Sequence, residues 1–171
     1  MKIIKIILVC LVILILGFFS LGLFVPSYEY QNSITVAASP QKCWDTFHNT
    51  SLMSQWMDGF ESISLKSGEH LVVGSTYEII VNSDNERIVM QEKLLQIKAP
   101  EKITYQLDND VLKSEYIFSF EGAETTTITS RYKITGANLI WRSVLFLSKS
   151  YMANQSQAQL DGLKKVIENQ K

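Results

Sequence analysis

The sequence predicts an α+β protein: an antiparallel sheet of about seven strands wrapped around a long C-terminal helix, with two short helices after the first strand and an N-terminal transmembrane helix. Three observations carry this. Residues Ile6 to Val25 form a run of 20 apolar or small residues without a charge. From Tyr28 to Ile134, apolar and polar residues alternate in short stretches separated by turn residues, as in strands with one wet face. From about Asn138 onward the apolar period becomes helical.

The first run decides the compartment. At 1.5 Å per residue it spans ~30 Å, the thickness of a bilayer's hydrocarbon core. Pro26 stops the helix. Lys2 and Lys5 precede the run, and the next cation is Lys42. The positive-inside rule therefore keeps the short N-terminus cytoplasmic and exports the rest across the cell membrane. A cleaved signal peptide is the competing reading, but the run exceeds the 7–15 residues usual for such a segment and no Ala-x-Ala site follows. Residues 1–26 are thus expected to form a cytoplasmic stub and a single-pass anchor, and 27–171 one domain close to the membrane.

The elements follow in order. Tyr28, Tyr30, Ile34 and Val36 share one face of a first strand. Ser39-Pro40 reads as an N-cap with proline in the first turn of a helix that carries Cys43, Trp44 and Phe47 inward. Leu52, Met53, Trp56 and Met57 suggest a second short helix over Ser51 to Met57. Strands then follow around Ile63 and Leu65, around Tyr77, Ile79 and Val81, and over Arg87 to Ile97, where Leu94-Leu95 breaks the alternation and predicts a bulge. Ile103, Tyr105 and Leu107 share a face, as do Leu112, Ser114, Tyr116, Phe118 and Phe120. In the seventh strand Thr126, Ile128, Ser130, Tyr132 and Ile134 face one way and Arg131 the other. Hairpin turns are expected at Ser83-Asp84-Asn85, Asp108-Asn109-Asp110 and Glu121-Gly122-Ala123. Trp141, Val144, Leu145, Phe146, Tyr151, Met152, Leu160, Leu163, Val166 and Ile167 form the stripe of one closing helix of more than 25 residues.

Composition excludes several functions. Among 171 residues, 16 are Lys or Arg and 17 are Asp or Glu, so no basic excess exists to neutralise nucleic-acid phosphates. With 46% hydrophobic and 19% charged residues the chain is not disordered. The two cysteines, Cys10 in the apolar run and Cys43 beyond it, make neither a disulfide framework nor a thiolate metal site. Cys43 reads as a buried thiol.

Several stretches together resemble one family. SITVAASPQKCWDTF is similar to its opening strand and proline-started helix, and LMSQWMDGFESI to its second-helix tryptophan and following strand. VGSTYEI resembles its glycine-led strand, TTTITSRYKITG its threonine-rich last strand and LDGLKKVIE its closing helix. Over about residues 29–169 the chain resembles the START-like, SRPBCC superfamily of polyketide cyclase/dehydrase type, with its helix-grip (START/Bet v 1-like) fold. Many members begin directly with the first strand; this chain departs in carrying a bilayer-length run in front. The resemblance implies a cavity between sheet and C-terminal helix that takes an apolar small molecule. Candidate lining residues are Trp44, Phe47, Trp56, Met57, Tyr77, Met90, Tyr105, Tyr116, Phe118, Trp141, Leu145 and Met152. The same side chains, taken singly, are also what an ordinary core would use.

The catalytic inventory is thin. His48 and His70 read as solvated loop residues. No HExxH, CxxC or GxSxG occurs, so no metal, cofactor or strong nucleophile is expected. Arg142, beside Trp141, either closes one mouth over an anionic head group or faces solvent. The leading expectation is a membrane-anchored protein that binds a hydrophobic small molecule or lipid, without nucleic acid. The alternatives are a cyclase-, dehydratase- or hydrolase-like enzyme acting by positioning, and a protein-interaction module whose cavity is vestigial.

Overall fold

The computed structural model describes residues 2–83 and 86–170. The chain opens with helix α1 (Lys2–Phe24), 23 residues whose only charges are Lys2 and Lys5 near its start, long and apolar enough to cross a membrane by length and composition. Strand β1 (Ser27–Val36) follows. Helix α2 (Pro40–His48) starts at Ser39, whose Oγ accepts from the Lys42 amide, and a short 3-10 helix (Thr50–Gln55) comes next. Six strands complete the sheet: β2 (Phe60–Ser67), β3 (Thr76–Ser83), β4 (Glu86–Lys98), β5 (Lys102–Asp108), β6 (Leu112–Gly122) and β7 (Thr126–Gly136). Helices α3 (Leu139–Leu147) and α4 (Lys149–Asn169) close the chain.

All seven strands form one antiparallel sheet in the order β1-β7-β6-β5-β4-β3-β2. The first strand thus pairs with the last, which leaves β1 and β2 as the edges. The predicted bulge is present as a register shift between Leu94 and Gln96, and β2 carries two further shifts, at Phe60/Ser62 and at Leu65/Ser67. Alternation in β7 holds, with Thr126, Ile128, Ser130 and Ile134 buried and Arg131 exposed against Gln31. The concave face meets α2 and α4 in the main core, where Val36, Cys43, Leu94, Ile103, Phe120, Ile128, Leu163 and Ile167 lose all but traces of their surface.

Four details differ from the sequence expectations. The closing helix is two helices, because Ser148 leaves helical geometry at φ −85°, ψ 1° and lets α3 pack on α1 while α4 packs on β1. Tyr151, placed on the buried stripe, is 65% exposed just beyond that break. The second short helix is of 3-10 type and starts one residue earlier, with Asn49 Oδ1 accepting from the Ser51 amide. Leu65 is exposed because it sits at the β2 edge next to a register shift. The expected turn at Asp84-Asn85 lies outside the described residues; those after Asp108 and Glu121 are present.

Candidate functional site

Strand pairing aligns side chains that are far apart in sequence. Tyr30 pairs with Tyr132, Tyr132 with Tyr116, Tyr116 with Tyr105 and Tyr105 with Leu94, so one row across four strands is tyrosine throughout. Centroid distances of 4.9, 5.9 and 5.4 Å run along that row, and its first two contacts are stacked. Stacked aromatic pairs at such distances add ~0.5–1.5 kcal/mol each beyond area burial. The next row towards α3 joins Tyr28, Ile134, Ser114, Leu107 and Glu92. The row on the other side begins with Asn32, Ser130 and Phe118.

This wall has polar groups built into it. Glu92 is buried at 6% exposure, and its Oε2 accepts a hydrogen bond from the Tyr116 hydroxyl. No described cation forms an ion pair with it. Burial pushes its carboxyl up to about 8, so it is mostly neutral at pH 7. Tyr30 shares a hydrogen bond with Ser156 on α4 at 3.0 Å, and Asn32 Nδ2 donates to the Ala153 carbonyl at 2.7 Å. Asn32 Oδ1 and the cross-strand Ser130 Oγ are buried without a partner among the described residues. Buried polar atoms rarely stay unpaired, and ordered water or another polar group commonly satisfies such neighbours. Burial raises the Tyr28 hydroxyl to about 12 and also raises Tyr30, Tyr105 and Tyr132, so all four stay protonated donors.

His48 corrects the expectation of a solvated loop histidine. It ends α2, its ring lies 4.4 Å from Trp44 and 5.0 Å from Phe47, and burial lowers its basicity. Nδ1 donates to the Trp44 carbonyl at 2.9 Å, which leaves Nε2 as an acceptor 3.4 Å from the Tyr105 hydroxyl. His70 is exposed in the loop between β2 and β3, as expected. Arg142 directs Nε to the Gly136 carbonyl at 3.4 Å, so it ties α3 to the end of β7.

The twelve candidate lining residues divide into three groups. Trp44, Phe47, Trp56, Tyr77, Tyr105 and Phe118 belong to the main core, with Met57 and Tyr116 packed against it. Within that group Phe47 contacts Trp56 at 5.6 Å and Phe118 at 4.7 Å, so these rings fill space against one another. Leu145, Trp141 and Met152 join a smaller cluster around Tyr28 and Ile134. Met90 is half-buried on β4 and belongs to neither cluster. Sequence reasoning missed Glu92, His48 and the row register. The signal for Glu92 was present: the alternation of Ile88 and Met90 continues onto Glu92 and Leu94.

Two surface clefts, of about 350 and 420 Å³, lie where α2 and the 3-10 helix meet the end of α4. Polar residues such as Gln41, Lys42, Asp45, Gln55 and Gln170 dominate their walls, and none of the twelve lines either. Among the described residues no cluster of three metal-ligating side chains is assembled.

A seven-stranded antiparallel sheet closed over a C-terminal helix, with an aromatic and partly polar concave face, defines a helix-grip protein. The chain belongs to the family described as polyketide cyclase / dehydrase and lipid transport, whose profile matches residues 28–168. No curated protein matches it in sequence. Among solved structures it is similar to the di-domain ARO/CYC BexL from the BE-7585A biosynthetic pathway, with a TM-score of 0.67 and 12% identity over 85% of this chain; it spans 52% of that protein, about half its length. It is also similar to norcoclaurine synthase from Thalictrum flavum, solved with dopamine and hydroxybenzaldehyde (TM-score 0.62, 14% identity, 85% of this chain and 88% of that one). A third neighbour is the protein Ara h 8.0201 (TM-score 0.65, 12% identity, 82% and 97%). At these identities the likeness establishes the fold.

Proposed function

We propose that this protein binds a hydrophobic small molecule or lipid between the concave face of its sheet and its C-terminal helices, and that residues 1–26 anchor the 27–171 domain to a membrane. The observation that carries the reading is the tyrosine row beside the buried Glu92–Tyr116 pair. Apolar ligand sites combine aromatic walls with a few placed polar groups, and this face has both. The unpaired Asn32 Oδ1 and Ser130 Oγ support a ligand with a polar end. Of the candidate lining residues, Tyr105 and Tyr116 belong to this row, Phe118 packs on it, and Leu145, Trp141 and Met152 lie at the α3 end. Native mass spectrometry of the full chain released from detergent tests it. A bound species on the wild-type protein that disappears in Leu145→Trp is expected; a bare chain, with no uptake of an apolar probe dye, sinks it.

The Glu92–Tyr116 pair also favours a second reading, an enzyme of cyclase or dehydratase type. A neutral carboxyl with a hydroxyl partner is equipped to act as a general acid near pH 7, a role that commonly contributes ~10² to 10⁴ in rate. Glu92→Gln separates the readings: an enzyme loses turnover while retaining its ligand, whereas a carrier has no turnover to lose.

A further inference from the structure

We infer that α3 lies in the interfacial layer of the bilayer leaflet from which α1 emerges, with the lipid itself as its partner. The inference rests on the reading of α1 as a membrane span and adds the position of a second helix to it. The first ground is contact depth. Ser143 Oγ on α3 donates to the Phe18 carbonyl of α1 at 2.6 Å. Gly22 brings the two backbones together, since a Cβ there would overlap the Leu139 carbonyl oxygen and Ser143 Oγ. Small residues permit such close approach between helices in membranes. Phe18 lies seven residues before Val25, the end of the apolar run, or ~10 Å along the helix axis. Whatever depth Phe18 to Gly22 occupy, α3 shares it.

The second ground is the outer surface of α3. Its sequence, LIWRSVLFL, carries one charge, Arg142, and that side chain turns back to Gly136. Ile140 and Leu147, seven residues apart on one face, are 53% and 62% exposed, and Leu139 is exposed beside them. This apolar surface continues that of α1, whose side chains are exposed along most of their length. A solvated α3 would leave both surfaces in water, whereas a lipid layer covers both at once. Trp141 and Tyr151 add the amphipathic rings that favour the membrane–water boundary. Leu145, on the other side of α3, packs with Tyr28 and Ile134, so the helix becomes the wall between lipid and the tyrosine-lined interior.

The test uses the full chain with Cys10→Ala in phosphatidylcholine vesicles; Cys43 is fully buried and stays unlabelled. Single variants Leu8→Cys, Ile140→Cys, Leu147→Cys and Thr127→Cys each carry an environment-sensitive fluorophore. All four positions are exposed, so the labels leave the core intact. Lipid-borne nitroxide should quench the labels at 140 and 147 and aqueous iodide should not, with the reverse at 127. If iodide reaches 140 and 147 while the label at 8 stays lipid-quenched, the inference falls and the span stands. Iodide access at 8 overturns the span, and the inference with it. Protection of 140 and 147 from both quenchers means that protein covers α3, through a second copy or another partner, and also overturns the inference.

Discussion

The two ends of the concave face are built differently. At the α2 end, aliphatic and phenyl side chains from four elements close without remaining surface, as Val36, Phe120, Ile128, Leu163 and Ile167 show. At the α3 end the strands present hydroxyls, a carboxyl and a thioether from Tyr28, Tyr30, Tyr116, Tyr132, Glu92 and Met90, and Met152 of α4 adds a second thioether. Several of these keep part of their surface, although each strand runs continuously from one end to the other. A sheet that only had to fold would have no reason to concentrate its hydroxyls in one row. The sealed end is the packed one, and on the proposed function the tyrosine end is where a ligand would be selected.

Substitutions at the two ends should separate these roles. The largest effect belongs to the sealed end: Phe120→Ala should cost about 3–5 kcal/mol, read as a loss of denaturation midpoint. A cost below 1 kcal/mol would mean that this end is not the packed one. Glu92→Gln comes next, and its sign depends on pH. The carboxyl is raised from 4.5 to about 8 in the folded chain, so the unfolded chain releases its proton first. Stability is then fully present below pH 4.5 and falls as pH rises towards 8, by about 1.4 kcal/mol per unit. Glu92→Gln should flatten that slope in pH-dependent unfolding; an unchanged slope would remove Glu92 from the account.

Smaller effects sharpen the contrast. In a closed core Leu145→Trp overpacks by ~1–3 kcal/mol. Beside a ligand space it should cost less than that and abolish binding of an apolar dye. Strong destabilisation without any dye binding in the parent would make the two ends equivalent. Tyr30→Phe removes one hydroxyl and its bond to Ser156, for about 1 kcal/mol. Its effect should appear mainly in ligand affinity, measured by dye displacement, and a thermal shift as large as that of Phe120→Ala would erase the distinction.

How far each feature was legible depends on how local its cause is. The β7 strand could be read residue by residue, because alternation of Thr126 to Ile134 reports a buried face directly. Tyr30, Tyr105, Tyr116 and Tyr132 were each on the expected face. Their alignment into one row was not visible, since register arises from pairing across strands. The break at Ser148 was hidden for a similar reason. Trp141, Leu145 and Met152 keep helical spacing across it despite Ser148-Lys149-Ser150 between them, and α3 packs on α1 while α4 packs on β1. His48 gained its role from Tyr105, 57 residues away. Glu92 was overlooked because a carboxylate between Gln91 and Lys93 has the composition of a solvated strand.

The edge strand β2 matters for what happens when many copies share a surface. Molecules confined to a bilayer meet in two dimensions at high effective concentration, where an open strand edge invites sheet-to-sheet addition. The two register shifts in β2 leave only Ser62 to Leu65 in continuous pairing register with β3. Serines at 62 and 64 and the Lys66–Glu78 ion pair at 2.9 Å further roughen that border. A visiting strand would find four residues of straight backbone between two kinks, too little to nucleate a ladder. On the proposed anchoring, the irregular border would disfavour sheet-to-sheet addition between neighbouring copies at the β2 edge.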